Sequence, residues 1–167
     1  VIGIDSSGLH TNGYSLARKV FQHWDLADRV AALGTTLGSA LLAPHRSYLP
    51  DVSRLRSAGV DIRSLVHITG GGLVDNPARV LPAGLAMHID TASWNVPPLF
   101  TLIRSQGNID NAEMFRTFNM GLGLLVVVPG VFAVLTGIAT AIWLPSAGGW
   151  GRCSTWRTSS WATASAN

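Results

Sequence analysis

Three consecutive glycines, Gly70–Gly72, separate a short apolar run from a polar segment that indicates the beginning of a helix. The run before them, Leu65–Ile68, has the length and composition of a buried strand. Glycine adopts positive φ angles at low cost and lets the backbone approach a ligand closely. Because N–H groups at the beginning of a helix attract anions, we predict a phosphate-binding turn here, with His67 and Thr69 beside it. A tight turn without a ligand is the alternative.

A second polar loop that is rich in glycine, Ser6–Tyr14, follows the apolar run Val1–Ile4. Its short polar side chains suit hydrogen bonding to a ligand, and its glycines permit the turns. Helix capping or an Asx-turn would explain the same side chains without a ligand. The residues predicted to bind substrate in the two loops are Ser6, Ser7, Gly8, Asn12, Gly13, Thr69, Gly70, Gly71 and Gly72.

Strand-like and helix-like segments alternate along the first 129 residues, which predicts an α/β sandwich. The predicted strands are Val1–Ile4, Leu65–Ile68, Leu85–Ile89 and Leu124–Val128. The predicted helices are Tyr14–His23, Tyr48–Ala58, Val74–Leu81, Pro97–Gln106 and Asn111–Phe118. The length of 167 residues suits one domain.

Charge and cysteine content exclude several classes of protein. Lys and Arg number 12 against 9 acidic residues, and this weak, scattered positive charge argues against nucleic-acid binding. The single cysteine, Cys153, excludes an internal disulfide and fits a reducing compartment. The uncharged segment Leu124–Leu144 is long enough to cross a membrane, but Pro129-Gly130 interrupts it, so we disfavour that alternative.

The chain has two compositional regimes. All nine acidic residues lie at or before Glu113, whereas four of the six tryptophans lie between Trp143 and Trp161. We therefore predict a folded domain over residues 1–129 and an atypical tail over residues 130–167. Since Val1 already lies in a predicted strand, we expect the chain to be a fragment.

Histidines are the candidates for proton transfer, because an unperturbed imidazole titrates near neutral pH. We predict that His67 or His10 touches the substrate; a histidine satisfied by packing at a strand end is the alternative for His67. Asn119 and Gly121 are predicted to form another wall of the site, or else only a tight turn. The five histidines show no metal-ligand spacing and the acidic residues do not cluster, so we predict no metal site.

Five sequence blocks resemble the phosphoribosylformylglycinamidine cyclo-ligases, the aminoimidazole ribonucleotide synthetases of purine biosynthesis. The resemblance covers residues 1–129 and corresponds to the C-terminal half of those enzymes. Three departures are the position of Pro77, the charge of Asp5 and the tail beyond Pro129. Because the tail does not resemble the family, we expect residues 130–167 to be disordered or to be produced by a shifted reading frame. The blocks are Ser6–Leu16, Leu41–Tyr48, His67–Gly72, Arg79–Pro82 and Met114–Gly121.

The resemblance implies a layered domain on a mixed sheet and an ATP-dependent cyclisation of formylglycinamidine ribonucleotide to aminoimidazole ribonucleotide. It also implies a cytoplasmic, homodimeric complete enzyme that uses ATP and Mg²⁺, whose ligands lie mostly in the missing N-terminal half. The isolated chain is then expected to be inactive. The alternatives are a non-catalytic remnant that serves as a dimerisation or partner module, and another ATP-using enzyme of the superfamily, which the Met114–Asn119 block disfavours.

Overall fold

The computed structural model describes residues 1–129 and the pair Thr158–Ser159. Its strands are β1 (Ile2–Asp5), β2 (Arg29–Val30), β3 (Thr35–Thr36), β4 (Ser64–His67), β5 (Ala86–Met87), β6 (Leu122–Val127) and β7 (Thr158–Ser159). Its α-helices are α1 (Tyr14–Val20), α2 (Leu37–Leu41), α3 (Leu49–Ser57), α4 (Gly72–Ala78), α5 (Pro98–Gly107) and α6 (Asn111–Thr117). A short 3₁₀ helix spans Ala31–Leu33. The predicted α/β class is confirmed.

The central sheet has the strand order β1-β6-β4, with β6 antiparallel to both neighbours. Strands β1 and β4 therefore run in the same direction and end at the edge of the sheet where β6 begins. Asp5 pairs with Leu122 and His67 pairs with Leu124 at this edge. Every strand pair within the described residues is antiparallel, so the parallel pairing expected of a mixed sheet is not among them.

The sheet separates two apolar clusters, as a layered α/β fold requires. Strand β6 alternates between them: Leu125 packs with the larger cluster, whereas Leu124 and Val126 pack with the smaller one. Side chains of successive strand residues point to opposite faces, which explains this division. Helix α3 contributes Leu55 to the smaller cluster. The larger cluster includes Phe100 of α5, which is fully buried.

The predicted helices Tyr48–Ala58, Pro97–Gln106 and Asn111–Phe118 agree with α3, α5 and α6 to within one residue at each end. Other boundaries differ. The predicted helix Tyr14–His23 ends earlier, at Val20, and β6 begins at Leu122 rather than at Leu124. The reason for the second difference is tertiary, because pairing of Leu122 with Asp5 of β1 extends the strand to residues before Leu124.

Two further predictions are only partly covered by the described residues. The predicted strand Leu85–Ile89 is reduced to the two residues of β5, which pair with β7. In the segment Leu124–Leu144, residues up to Val127 belong to β6, and residues 130–144 lie outside the described residues. No helix within the described part of the chain is long and apolar enough to cross a membrane.

Candidate functional site

Three connecting segments meet at the edge where β6 begins. They are the β1 loop (Ser6–Gly13), the glycine loop (Ile68–Gly71) and the β6 turn (Asn119–Gly121). The sheet order brings them together, since β1 and β4 flank β6 and end at its first residues. The β1 loop and the glycine loop approach each other directly: Asn12 Oδ1 lies 3.7 Å from the position a Cβ would take on Gly70.

The β1 loop is held in place by the buried side chain of Asn119. Its Oδ1 accepts hydrogen bonds from Ser6 Oγ at 2.9 Å and from Gly121 N at 2.8 Å. Its Nδ2 donates to the carbonyl oxygen of Gly8 at 2.8 Å. Ser6 N also donates to the Gly121 carbonyl oxygen at 2.8 Å. Asn119 is 1% exposed, so its carboxamide fixes the shape of the loop from inside the protein.

The glycine loop is held by a second buried carboxamide, that of Asn76 in α4. Asn76 Oδ1 accepts from Thr69 N at 3.2 Å and from Thr69 Oγ at 2.9 Å. Asn76 Nδ2 donates to the carbonyl oxygens of Gly70 and Gly72, both at 3.0 Å. These bonds engage the Gly70 carbonyl oxygen and the Thr69 hydroxyl. The N–H groups of Gly70 and Gly71 form no hydrogen bond within residues 1–129.

Gly72 must be glycine for two reasons. Its φ angle of 54° is one that residues with a Cβ adopt at a cost. A Cβ at this position would also overlap the carbonyl oxygen of Phe115, because α4 packs closely against α6. The last glycine of the triplet thus serves packing, and Gly70 and Gly71 remain as the accessible part of the loop.

Three histidines come together beside these loops, and sequence spacing did not predict it. They are His10 in the β1 loop, His45 between α2 and α3, and His67 at the end of β4; one ring nitrogen of each lies within 4.8 Å of those of the other two. His45 Nε2 and His67 Nε2 are 3.2 Å apart. The ring centroids of His10 and His45 are 3.9 Å apart, and the two rings are tilted by 33° relative to each other. His10 is buried, whereas His45 and His67 are exposed.

The two predicted proton-transfer residues therefore have different environments. His10 adopts a φ angle of 58°, its Nε2 accepts a hydrogen bond from Ser7 N at 3.1 Å, and its buried Nδ1 has no partner within the described residues. Burial and the neighbouring His45 and His67 lower the pKa of His10 to about 4. Burial, followed by the charge of His45, also lowers the pKa of His67. Lowered pKa values favour the neutral forms, and of the two only His67 is exposed to solvent.

Arg46 and Tyr48 complete the surroundings, and neither was a predicted site residue. Arg46 Nη2 bonds to Asp51 Oδ2 at 2.9 Å, and its backbone N–H donates to Ser7 Oγ at 3.1 Å. Tyr48 donates its hydroxyl to the Asp5 carbonyl oxygen at 3.0 Å. Burial is the main cause that raises the pKa of Tyr48, so this hydroxyl stays protonated. The signal that pointed here was the Leu41–Tyr48 block, which contains His45, Arg46 and Tyr48.

The structure thus brings the predicted site residues to one edge but divides them by accessibility. Asn12, His67, Gly70 and Gly71 present groups that the described chain leaves available. The residues used mainly for internal hydrogen bonds or packing are Ser6, Gly8, His10, Gly13, Thr69, Gly72, Asn119 and Gly121. Ser7 is exposed, and its hydroxyl donates to the Pro44 carbonyl oxygen at 2.6 Å.

A cavity of about 350 Å³ lies on the side of the β1 loop that faces Ala43 and the beginning of α5. Ser6, Ser7 and Gly8 line it together with Ala43 and Phe100. Residues of the glycine loop are not part of its lining. The contact between the two loops lies instead at Asn12 and Gly70.

The family model described as "AIR synthase related protein, C-terminal domain" matches residues 1–141. The chain belongs to this family. The match extends beyond the boundary predicted at residue 129, and the nature of residues 130–167 stays a prediction.

Several curated relatives carry the name phosphoribosylformylglycinamidine cyclo-ligase. The protein of Caldanaerobacter subterraneus subsp. tengcongensis is 47% identical over 131 residues, which are 77% of this chain and 38% of the relative. That of Sorangium cellulosum is 49% identical over 132 residues, again 77% of this chain and 38% of the relative. That of Acetivibrio thermocellus is 43% identical over 135 residues, 80% of this chain and 39% of the relative. The chain thus spans less than two fifths of these relatives.

Proposed function

We propose that this chain forms the ribonucleotide-binding part of a phosphoribosylformylglycinamidine cyclo-ligase, which closes formylglycinamidine ribonucleotide to aminoimidazole ribonucleotide. The observation that carries the proposal is the meeting of the β1 loop and the glycine loop at one edge of the sheet, with Asn12 beside Gly70. Both loops belong to sequence blocks that resemble these enzymes. Family membership and the names of the relatives support the same reaction.

The groups left available at this edge suit a phosphorylated sugar. The N–H groups of Gly70 and Gly71 are donors without partners in residues 1–129, and an anion accepts such bonds. The carboxamide of Asn12 makes no hydrogen bond within the described chain, so it can donate to one ligand oxygen and accept from a ribose hydroxyl. Asn119 and Asn76 then act as positioning residues, because their own polar atoms are engaged.

His67 is the residue we assign to proton transfer during ring closure. It is exposed at the end of β4, directly before the glycine loop, and its lowered pKa favours the neutral form, which can accept a proton. His10 is buried and bonded to Ser7, so we assign it to holding the β1 loop. This division of roles replaces the sequence-based choice between the two histidines.

ATP supplies the phosphoryl group that activates the formyl amide oxygen, and Mg²⁺ accompanies it. The described residues do not fit a Mg²⁺ site, which requires several oxygen ligands. Their one group of three candidate metal ligands consists of histidines, and no such group of carboxylates occurs among them. We therefore assign the ligands of Mg²⁺ to the part of the complete enzyme that corresponds to the remaining length of the relatives.

Binding of the ribonucleotide to the 167-residue chain tests the proposal. Isothermal titration calorimetry with formylglycinamidine ribonucleotide should give saturable binding, and Asn12→Ala should weaken it about tenfold, or about 1.4 kcal/mol. Gln106→Ala is the matched control, because it removes an exposed carboxamide from α5 without touching the loops. Equal losses in the two variants, or no binding by the parent chain, would contradict the proposal.

Turnover requires a second measurement. The N-terminal part of the Caldanaerobacter relative, added to this chain together with ATP and Mg²⁺, should restore ring closure, and His67→Gln should abolish it while ribonucleotide binding persists. Binding without turnover in the mixture would instead favour the role of a partner module. Ring closure that survives in His67→Gln would remove His67 from the chemistry.

A further inference from the structure

The histidine cluster has a property that ribonucleotide binding does not require. His10, His45 and His67 come from three different segments of the chain, and the fold places one nitrogen of each within 4.8 Å of the other two. The remaining histidines, His23 and His88, are exposed and lie outside the cluster. Three of five histidines therefore converge at one point, although their spacing in the sequence gives no sign of it.

We propose that His10, His45 and His67 form a binding site for a divalent transition-metal ion of the zinc type. Neutral imidazole is a preferred ligand for Zn²⁺, Co²⁺ and Ni²⁺, whereas Mg²⁺ prefers oxygen. Three histidines with an open fourth position are an established ligand set for zinc. The site is thus distinct in chemistry from the Mg²⁺ that accompanies ATP. An ion bound to His67 would occupy the lone pair that the proposed proton transfer uses, so the metal-bound chain would not support ring closure.

The exposed pair already has the spacing of two metal ligands. Two nitrogens bound to one tetrahedral zinc ion at about 2.0–2.1 Å are separated by about 3.4 Å. His45 Nε2 and His67 Nε2 are 3.2 Å apart. His45 Nδ1 lies 2.7 Å from the Arg46 carbonyl oxygen, so Nδ1 carries the proton and Nε2 keeps a lone pair. A hydrogen bond from the nitrogen that does not bind the metal, like this one from His45 Nδ1, orients metal-binding histidines in proteins.

His10 supplies an independent indication of a ligand. Its Nδ1 is buried and has no hydrogen-bond partner in the described residues, which is costly for a polar atom. Ser7 offers Nε2 a donor, its N–H, and an acceptor, its Oγ, both at 3.1 Å. While Ser7 N–H donates to Nε2, the proton of the neutral ring is on Nδ1. Metal binding through Nδ1 requires the other tautomer, in which Nε2–H donates to Ser7 Oγ in place of that bond and Nδ1 presents a lone pair. A bound metal ion would account for a nitrogen that the protein leaves unsatisfied.

The surroundings allow a cation to enter. His45 and His67 are exposed, so an ion reaches them from solvent and a water molecule can occupy the fourth position. Arg46 is the nearby positive charge, and its guanidinium is paired with Asp51 at 2.9 Å.

Metal binding by the complete 167-residue chain, without an affinity tag, tests the site. Cys153 is replaced by serine in every protein, so that no thiolate competes for the ion. Competition with a chromophoric chelator should show one Zn²⁺ per chain, and Co²⁺ should give the visible absorption of a four-coordinate site. His45→Gln should lower the affinity about 100-fold or more, because even the outer partners of metal-bound histidines contribute roughly 10–100-fold.

The double variant His23→Gln/His88→Gln is the matched control and should bind as the parent does. Circular dichroism checks that each variant is folded. Because His45 is exposed, we expect its replacement to leave the core intact. Loss of binding in the control but not in His45→Gln would overturn the site, as would a folded parent chain that binds neither ion. These readouts do not involve substrate, so they are independent of the proposed reaction.

Discussion

The β1 loop and the glycine loop are both held in their conformations by hydrogen bonds to an asparagine side chain, but the bonded residues lie at different distances along the sequence. Each is held by one buried asparagine side chain that satisfies backbone groups of the loop. Asn76 bonds to partners four to seven positions away in its own β–α unit. Asn119 bonds to Ser6 and Gly8, which are 113 and 111 positions away. The glycine loop is thus closed locally, whereas the β1 loop obtains its shape only when β6 pairs with β1.

This difference predicts that substitutions near the two asparagines disturb different parts of the structure. Substitutions near Asn76 disturb one loop and the helix that follows it. Substitutions near Asn119 separate the β1 loop from the β6 turn and disturb the strand at the centre of the sheet. Asn76 bonds only to residues nearby in the sequence, whereas Asn119 also bonds to Ser6 and Gly8, which are 113 and 111 positions away. Paired substitutions at the two asparagines therefore measure how much the stability of the site depends on tertiary structure.

The largest expected effect is that of Gly72→Ala. The new Cβ would overlap the Phe115 carbonyl oxygen and would strain a φ angle of 54°, so we expect a loss of about 4 kcal/mol in the free energy of unfolding. Gly59→Ala separates the two causes, because Gly59 has a φ angle of 73° but no atom within 4 Å of the position that a Cβ would take. It should cost about 1 kcal/mol. Urea denaturation monitors both; equal losses would show that overlap is unimportant.

The second prediction compares the two asparagines directly. Asn119→Ala leaves the Ser6 hydroxyl and the Gly121 N–H without their acceptor inside the protein, and we expect a loss of about 3 kcal/mol. Asn76→Ala should cost about 2 kcal/mol, because the freed groups at exposed Gly70 can bond to water. Asn95→Ala, an exposed control, should change little. A greater loss at Asn76 than at Asn119 in urea denaturation would reverse the comparison drawn above.

The same contrast explains what the sequence could predict. The helix Tyr48–Ala58 and the strand Leu65–Ile68 were located because periodicity and the proline and glycine signals are local. The beginning of β6 at Leu122 was missed, since pairing with Asp5 across the sheet extends the strand. Local patterns identify a segment, but its end is set here by a partner that the sequence does not reveal.

The parts of the candidate site that depend on local sequence were predicted, whereas the contacts between distant segments were not. Both glycine-rich loops were identified by composition, but their contact through Asn12 and Gly70 follows from strand order alone. His45 was missed as a site residue although it lies in a block that resembles the cyclo-ligases, and Asn76 was missed beside another. Nothing in the spacing of His10, His45 and His67 indicates that they converge, because the sheet and the loop before α3 bring them together.

The third prediction concerns acid stability and His10. The pKa of His10 is about 4 in the folded chain and 6.5 when unperturbed. The contribution of neutral His10 to the stability of the fold is therefore fully present above pH 6.5. It is lost as the pH falls toward 4, because the unfolded chain binds the proton first. In the presence of a chelator, the parent should lose about 2–3 kcal/mol more than His10→Asn between pH 7 and pH 4. Asparagine tolerates the φ angle of 58° and does not titrate. Parallel pH profiles of unfolding for the two proteins would refute this assignment.

The smallest effect on stability should come from Gly70→Ala, in the same triplet as Gly72. A Cβ on Gly70 meets only Asn12 Oδ1, at 3.7 Å, which is ordinary contact, so the free energy of unfolding should change by no more than about 0.5 kcal/mol. The methyl group would nevertheless stand between the glycine loop and the β1 loop, where the ribonucleotide is proposed to bind. Calorimetry should therefore show weaker binding in a chain of unchanged stability. If binding is also unchanged, the ligand does not lie between these loops, and their contact serves the fold alone.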